Sequence, residues 1–402
     1  MPINIDRVTK LTEELSQNTQ LLAEGNEKSR LKLLLISYKL TQALENPQET
    51  FWKLWMLDSI TRIVVQVASD LKLPEYLPDE PDKAVGSAEL AEKTGAEQAL
   101  LTRLLNHLAA SGFVEEAGPD LFYANILMRH LSTKAIQDGS EFYPRTMGKA
   151  VSVLPQYLAE HGYRDPTDEL DCPWQKAFDT KLHSFEYIQK DPDLARLFKH
   201  AVLSQNQVRR THWEDHDFYP VQERLLSGLK PNSVLMVDVG GGIGLDLTIF
   251  HDSHPLPVGA RLILQDVDSV LKTTGDLTPS IEKIPHDFFQ EQPPSSKGAR
   301  AYFFHRVFHD WSDDKCREIL LALKPAMVPV YSKVLLLETV VPSQGATWLN
   351  TAADLVMMCG LAGRERTETG FKDLLESVGM EITGIYTRSP GEESIIEAIV
   401  PE

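Results

Sequence analysis

Asp238 is followed by three glycines at alternate positions, Gly240, Gly242 and Gly244, in the run VDVGGGIG, with Gly241 completing it. Glycine suits a place where a strand turns sharply into a helix, because a Cβ would block the turn and hold a ligand off the backbone. A second carboxylate, Asp266, ends the next apolar stretch about 20 residues beyond Gly244, a spacing that suits hydrogen bonds to ribose hydroxyls. The ligand should carry a ribose, most simply an adenosine. A dinucleotide loop reads Gly-x-Gly-x-x-Gly and sits in the first strand–helix unit. Here the pattern is Asp-x-Gly-x-Gly-x-Gly, and a long helical region precedes it. The expected ligand is smaller, with its carboxylate end over the loop, as in S-adenosylmethionine.

Strands must bring these residues to one edge. SVLMVDVGGG, RLILQDVD, ARAYFFHRVFHD and KVLLLETVVP read as buried strands, with helical stretches such as DDKCREILLALKPAM between them. That alternation implies an α/β domain, a parallel sheet wrapped by helices, over residues 231–402. Residues 1–135 read differently. Ile5, Val8, Leu11 and Leu15 recur at helical spacing as far as Gly25; a leucine-rich helix runs to Pro47; a third is expected from Phe51 to Leu73, stopped by Pro74. Ser87 is expected to cap a short helix ending at Gly95, and Leu101, Leu104, Leu105 and Leu108 line a second. Val114 then opens a strand that turns at Gly118-Pro119-Asp120 into Phe122 and Tyr123. Helix, turn, helix and hairpin outline a winged helix. Its second helix offers only Arg103 as a cation, so a scaffold or dimerisation role is expected rather than DNA reading.

Residues 136–230 read as a helical linker rich in aromatics: Tyr143, Tyr157, Trp174, Phe178, Phe185, Tyr187, Phe198 and Trp213. These could fill a helical core or wall a pocket for a flat substrate. Lys and Arg total 40 against 58 Asp and Glu, a net charge of −18. Binding to nucleic acid or to an anionic membrane needs clustered positive charge, so neither partner is expected. The three cysteines, Cys172, Cys316 and Cys359, form no Cys-x-x-Cys pair, and no metal site is expected. The N-terminal stretch lacks an apolar signal core, and the most apolar early segment carries Lys53, Asp58, Arg62 and Asp70. A reduced cytoplasmic protein is the expectation.

The runs DVGGGIG, LQDVDSV, HDFF, HRVFHDWSDDKC, LLLETVVP and GRERTETGFKDLLESVGM, in that order, resemble the S-adenosylmethionine-dependent O-methyltransferases of the plant caffeate and fungal secondary-metabolite type. The resemblance covers nearly the whole chain. It implies a Rossmann-like methyltransferase sheet preceded by a helical and winged-helix dimerisation domain, hence a homodimer. It implies cofactor roles for Asp238 and Gly240 to Gly244, ribose contacts for Asp266 and Val267, and adenine contacts for Asp287 and Phe288. His305 and Arg306 fall where the family has a further basic cofactor contact. His309 matches the general base, Glu338 and Glu365 the acidic residues beside it. A phenol with a pKa near 10 is a poor nucleophile at pH 7, and an imidazole can take its proton as the oxygen attacks. Asp354, Met357 and Met358 fall where the family lines its substrate pocket, although core packing would explain them equally. The plant members' Asn in this loop is absent, which does not support phenylpropanoid substrates. The implied function is O-methylation of a small aromatic or polyketide-derived metabolite. A methyltransferase-fold pericyclase or cyclase, which binds the cofactor without methyl transfer, is the alternative. A third reading is a non-enzymatic regulator that binds the cofactor.

Overall fold

The computed structural model describes residues 3–26, 28–208, 213, 215 and 217–402. The chain forms two compact units, Met1–Gln137 and Asp138–Glu402.

In the first unit, Asn4 caps the helix Ile5–Ala23, which ends just before Gly25 at φ +87°. The helix Lys28–Leu44 pairs with it. The single helix expected from Phe51 to Leu73 is broken in two ways. It starts earlier, at Pro47, because Asn46 and Glu49 form a reciprocal cap. It then widens into a π-turn, Lys53–Leu57, continues as Asp58–Asp70, and stops where Lys72 adopts φ +54°. Pro74 does not end the helix. It opens the next turn, Leu73–Tyr76, where its missing N–H costs nothing. The winged-helix portion follows: β1 (Val85–Gly86), helices Ser87–Thr94 and Gln98–Ala110, then β2 (Val114–Gly118) and β3 (Leu121–Ala124), with sheet order β1-β3-β2. Gly86, not Ser87, is the cap; the Ser87 hydroxyl donates instead to Asp120 at 2.9 Å. Leu90, Leu101, Leu105, Leu108 and Phe122 make the core of this unit.

The second unit begins with short helices between 138 and 208, whose core holds Trp174 with Phe142, Leu197 and Cys359 and takes in Phe178, Tyr187 and Phe198. The aromatics expected there thus divide. Trp213 belongs to the sheet's core, and Tyr143 is exposed. The sheet has seven strands: β4 (Val234–Val239), β5 (Arg261–Asp266), β6 (Ile281–Pro285), β7 (Ala301–His305), β8 (Lys333–Thr339), β9 (Glu381–Tyr386) and β10 (Glu393–Ile399). Their order is β6-β5-β4-β7-β8-β10-β9. Strands β4 to β8 pair in parallel, and β4, β7 and β8 are apolar runs buried on both faces, as inner strands of such a sheet are. The sheet is nonetheless mixed, because β10 runs antiparallel to both β8 and β9. Glu397, buried on β10, is neutralised by Arg224 and by Lys333 Nζ at 2.8 Å, with the Tyr219 hydroxyl donating at 2.5 Å.

From β4 the chain winds outward through β5 and β6, then returns to β7 on the other side. This reversal leaves a crevice beyond the carboxyl end of β4, where ligands bind in open α/β sheets. The glycine run sits there.

Candidate active site

Beyond β4 the backbone turns through Gly240 at φ +73°. A Cβ at Gly240 would stand 3.0 Å from Val307, and one at Gly241 would fall 2.4 Å from the carboxyl carbon of Asp238. Only glycine lets the chain cross directly over that side chain. Gly240 and Gly241 donate to the Gln265 carbonyl at 2.9 and 3.1 Å, tying the turn to β5. Asp266 accepts the Gly242 amide at 2.9 Å and the Val267 amide at 2.7 Å, so its carboxylate is fixed at the rim. The Val267 side chain is exposed. Asp287 is exposed and accepts the Phe289 amide at 3.0 Å, while the Phe288 ring lies over Gly240 and edge-on to Trp311 at 6.0 Å.

Asp238 is fully buried, and neither carboxylate oxygen has a hydrogen-bond partner among the described residues. Burial and the neighbouring Asp246 push its pKa well above the usual carboxylate range. An orphaned acid under a glycine turn fits a ligand that brings an ammonium group. The residues present therefore suit S-adenosylmethionine.

His305 and Arg306 each pair with buried carboxylates. His305 Nδ1 lies 2.9 Å from Asp246 Oδ2 and its Nε2 3.5 Å from Glu393 Oε1; Arg306 Nε donates to the same Glu393 oxygen at 2.6 Å. Burial alone would lower the His305 pKa, but the two carboxylates outweigh it and raise it to about 10. This imidazole is a cation at neutral pH.

Strand β7 runs directly into the turn Phe308–Asp310, which carries His309. His309 Nδ1 lies 2.9 Å from Glu365 Oε1, and its Nε2 is 3.3 Å from Asp310 Oδ1. Glu338, at the end of β8 and fully buried, accepts the amides of Val307 and Phe308 at 3.0 and 2.7 Å. Glu338 thus holds the loop and Glu365 holds the imidazole. The functional nitrogen and oxygens of His309, Glu338 and Glu365 lie within 4.8 Å of one another. Burial works to lower the His309 pKa, yet Asp310, Glu365 and Glu338 together raise it to about 9; burial lifts Asp310 to about 7.

Sequence reasoning did not single out the parts that clamp this loop. Arg366, buried, donates through Nη1 to the Phe308 carbonyl at 2.6 Å and through Nη2 to the Trp311 carbonyl at 2.8 Å. Arg364 N donates to the His309 carbonyl at 2.9 Å. A Cβ at Gly363 would lie 2.2 Å from that same oxygen. The signal was the GRERTETG run, whose glycine and second arginine perform these tasks. His183 was also missed: its ring stacks on Trp311 at 5.1 Å and 15°. Of the three residues expected to line a substrate pocket, Asp354 accepts the Glu365 amide at 2.9 Å. Met358 packs on the helical core, and Met357 is half-buried beside it in the helix Trp348–Leu361.

A family model described as the O-methyltransferase domain matches residues 156–381, and one described as the O-methyltransferase dimerisation domain matches residues 56–128. The chain belongs to the O-methyltransferase family. Among curated relatives, the O-methyltransferase penC of Penicillium thymicola is 33% identical over 381 residues, 94% of each chain. Demethylsterigmatocystin 6-O-methyltransferase of Aspergillus parasiticus is 36% identical over 321 residues, 80% of each chain. Among solved structures, that of LepI in complex with S-adenosylmethionine aligns with a TM-score of 0.86 at 26% identity, over 99% of this chain and 100% of that one. Another, described as a pericyclic reaction enzyme, aligns at 0.84 with 26% identity, over 99% and 100%. This methyltransferase takes S-adenosylmethionine as its cofactor and belongs with enzymes of secondary metabolism. The reading as a non-enzymatic regulator falls with that finding. Among the described residues, no helix is long and apolar enough to cross a membrane.

Proposed function

We propose that the enzyme methylates a hydroxyl group of a small aromatic or polyketide-derived metabolite, with His309 as the general base. The observation that carries this reading is the 2.9 Å contact between His309 Nδ1 and Glu365 Oε1. With Nδ1–H donated to that carboxylate, Nε2 is the nitrogen left to take a proton. The bound cofactor supplies an electrophilic methyl group on a sulfonium sulfur. The chain's own residues then do three things. Asp238 and the Gly240–Gly244 turn receive the amino-acid end, while Asp266 and Val267 meet the ribose and Asp287 and Phe288 the adenine. His309 Nε2 removes the acceptor's hydroxyl proton, leaving the oxygen's electron pair free for the new C–O bond. Glu365 steadies the imidazolium that results, while Glu338 keeps the loop from shifting. Such proton removal contributes on the order of 10² to 10⁴ in rate. Asp354, Met357 and Met358 mark the acceptor's side, where Asp354 acts by holding Glu365 in place.

The test is chemical. Incubating candidate phenols with enzyme and S-adenosylmethionine should add the mass of one methylene to product and yield S-adenosylhomocysteine with it.

One observation favours a second reading, the likeness to LepI and to the structure described as a pericyclic reaction enzyme at 26% identity. On that reading the bound cofactor keeps its methyl group, and an isomerised or dehydrated product appears without S-adenosylhomocysteine.

We also propose a cytoplasmic homodimer. The dimerisation-domain match supports the dimer, as do the exposed Phe51, Trp52, Trp55 and Met56 of the first unit, each more than half accessible.

A further inference from the structure

Two carboxylates converge on His309, and each keeps one oxygen unpaired. Glu338 is fully buried, and its Oε1 accepts the amides of Val307 and Phe308 at 3.0 and 2.7 Å, which fixes the carboxylate in place. The Glu365 side chain is only 3% exposed; its Oε1 meets His309 Nδ1 at 2.9 Å, and its backbone amide is held by Asp354. The Oε2 atoms of both glutamates are buried with no hydrogen-bond partner among the described residues. One ligand atom from each of His309, Glu338 and Glu365 lies within 4.8 Å of the others, and among the described residues no other three His, Cys, Asp or Glu side chains converge in this way.

Buried carboxylate oxygens without donors favour a cation. The donor set says which one. An imidazole nitrogen with two carboxylates suits zinc, which binds three protein ligands at about 2.0–2.2 Å and keeps a fourth position for water. Magnesium prefers oxygen ligands in a near-octahedral shell and retains its waters, which a buried set of three cannot offer. A metal-bound histidine also donates its other ring N–H to a carboxylate. Asp310 Oδ1 stands 3.3 Å from His309 Nε2, where that partner would be.

We propose that His309, Glu338 and Glu365 form an inhibitory site for a divalent cation of the zinc type, held through His309 Nδ1 and an oxygen of each glutamate. The ion takes the Nδ1 electron pair, and the remaining ring proton sits on Nε2, donated to Asp310. A neutral imidazole reaches this state by passing its proton from Nδ1 to Nε2; an imidazolium reaches it by releasing one proton to solvent. Either way Nε2 has no free electron pair for the acceptor's proton. The inhibition rests on the reading of His309 as the base, whereas the binding rests on the site's geometry alone.

Binding is measurable without turnover. Calorimetric titration of the enzyme with zinc chloride should show one strong equivalent, and magnesium chloride should show none. Cobalt(II) in place of zinc should give the visible absorption of a low-coordinate ion with a nitrogen ligand. Asp310→Asn should weaken zinc binding by about 10-fold, and loss of a ligand in His309→Ala or Glu365→Gln by more. Unchanged affinity for S-adenosylhomocysteine in those variants shows that they are folded. In the wild type, methylated product should fall as the site fills and return on addition of a chelator. Absence of the strong equivalent overturns the proposal, as does zinc binding that survives both His309→Ala and Glu365→Gln, or magnesium binding equally well. Zinc held by these side chains with turnover intact overturns the inhibition and the reading of His309 as the base, so the two failures are distinguishable.

Discussion

Arg366 Nη1 donates to the carbonyl of Phe308 at 2.6 Å, from within a guanidinium that also holds the Trp311 carbonyl and the Asp313 carboxylate. The turn that carries His309 is thereby gripped from both ends by one side chain. Glu338 takes the amides on its other side. Position of the imidazole is thus set by groups that need not touch a substrate.

Arg366→Ala should cost about 3 kcal/mol of stability, the scale of buried hydrogen bonds from a charged donor. It should also lower kcat, because the Phe308–Trp311 backbone loses its clamp. Arg366→Lys keeps the charge but not the planar fork, and should recover only part of either loss. Denaturant midpoints and steady-state kinetics check this. Equal stability and equal kcat in Arg366→Ala would remove the clamp from the account.

The pH profile of kcat/KM should reflect the carboxylates around His309. A histidine raised to about 9 is protonated at pH 7 and unable to accept a proton, so activity rises with pH as it deprotonates. The Asp310 carboxyl, lifted to about 7 by burial, adds a second inflection below the first. Glu365→Gln removes a group that raises the His309 pKa, so the upper inflection should move to lower pH while kcat falls. Combined with His309→Ala, the Glu365 and Glu338 variants should add little, since the three act as one unit. Additive losses would argue that they work apart.

Asp266→Ala should weaken cofactor binding by about 1.5–3 kcal/mol, the range for hydrogen bonds to a charged group. The Gly242 amide would also lose its partner, so the glycine turn loosens with it. Titration calorimetry with S-adenosylhomocysteine measures the change. An unaltered affinity would take Asp266 out of the site.

Deleting residues 1–24 should leave the proposed homodimer as monomer or aggregate. The helix Ile5–Ala23 buries Leu11, half-buries Val8 and Leu15, and leaves Ile5 and Leu21 exposed for a partner to cover. Light scattering on the truncated protein checks it, and a soluble, unchanged dimer would contradict the assignment.

Much of the second unit was legible in the sequence because β4, β5, β7 and β8 are unbroken apolar runs, as strands buried on both faces must be. Strand β10 was not, since Glu393 and Glu397 interrupt its pattern and are neutralised by residues far away in the chain, Arg306, Arg224 and Lys333. That missed strand is also why the sheet is mixed rather than parallel. The glycine turn beyond β4 could be read because the crossing over Asp238 itself demands glycine and the spacing is local. The Asp246–His305 pair, 59 positions apart, has no local signature. Arg366 was invisible for a related reason. Its partners are mostly backbone carbonyls, which every residue possesses. In the first unit, Pro74 was taken for a stop because proline breaks helices, yet the fold uses it to begin one.

The central claim is that a hydroxyl proton goes to His309 while a methyl group goes to the hydroxyl oxygen. The most direct test is the ratio of S-adenosylhomocysteine formed to product formed with the true acceptor, measured by mass spectrometry for the wild-type enzyme and for His309→Ala. A ratio near one is expected in the wild type. In His309→Ala, kcat should fall by about 10²-fold or more while affinity for S-adenosylhomocysteine stays nearly unchanged. A product that accumulates with no S-adenosylhomocysteine beside it would contradict methyl transfer, however well His309, Glu338 and Glu365 are arranged for it.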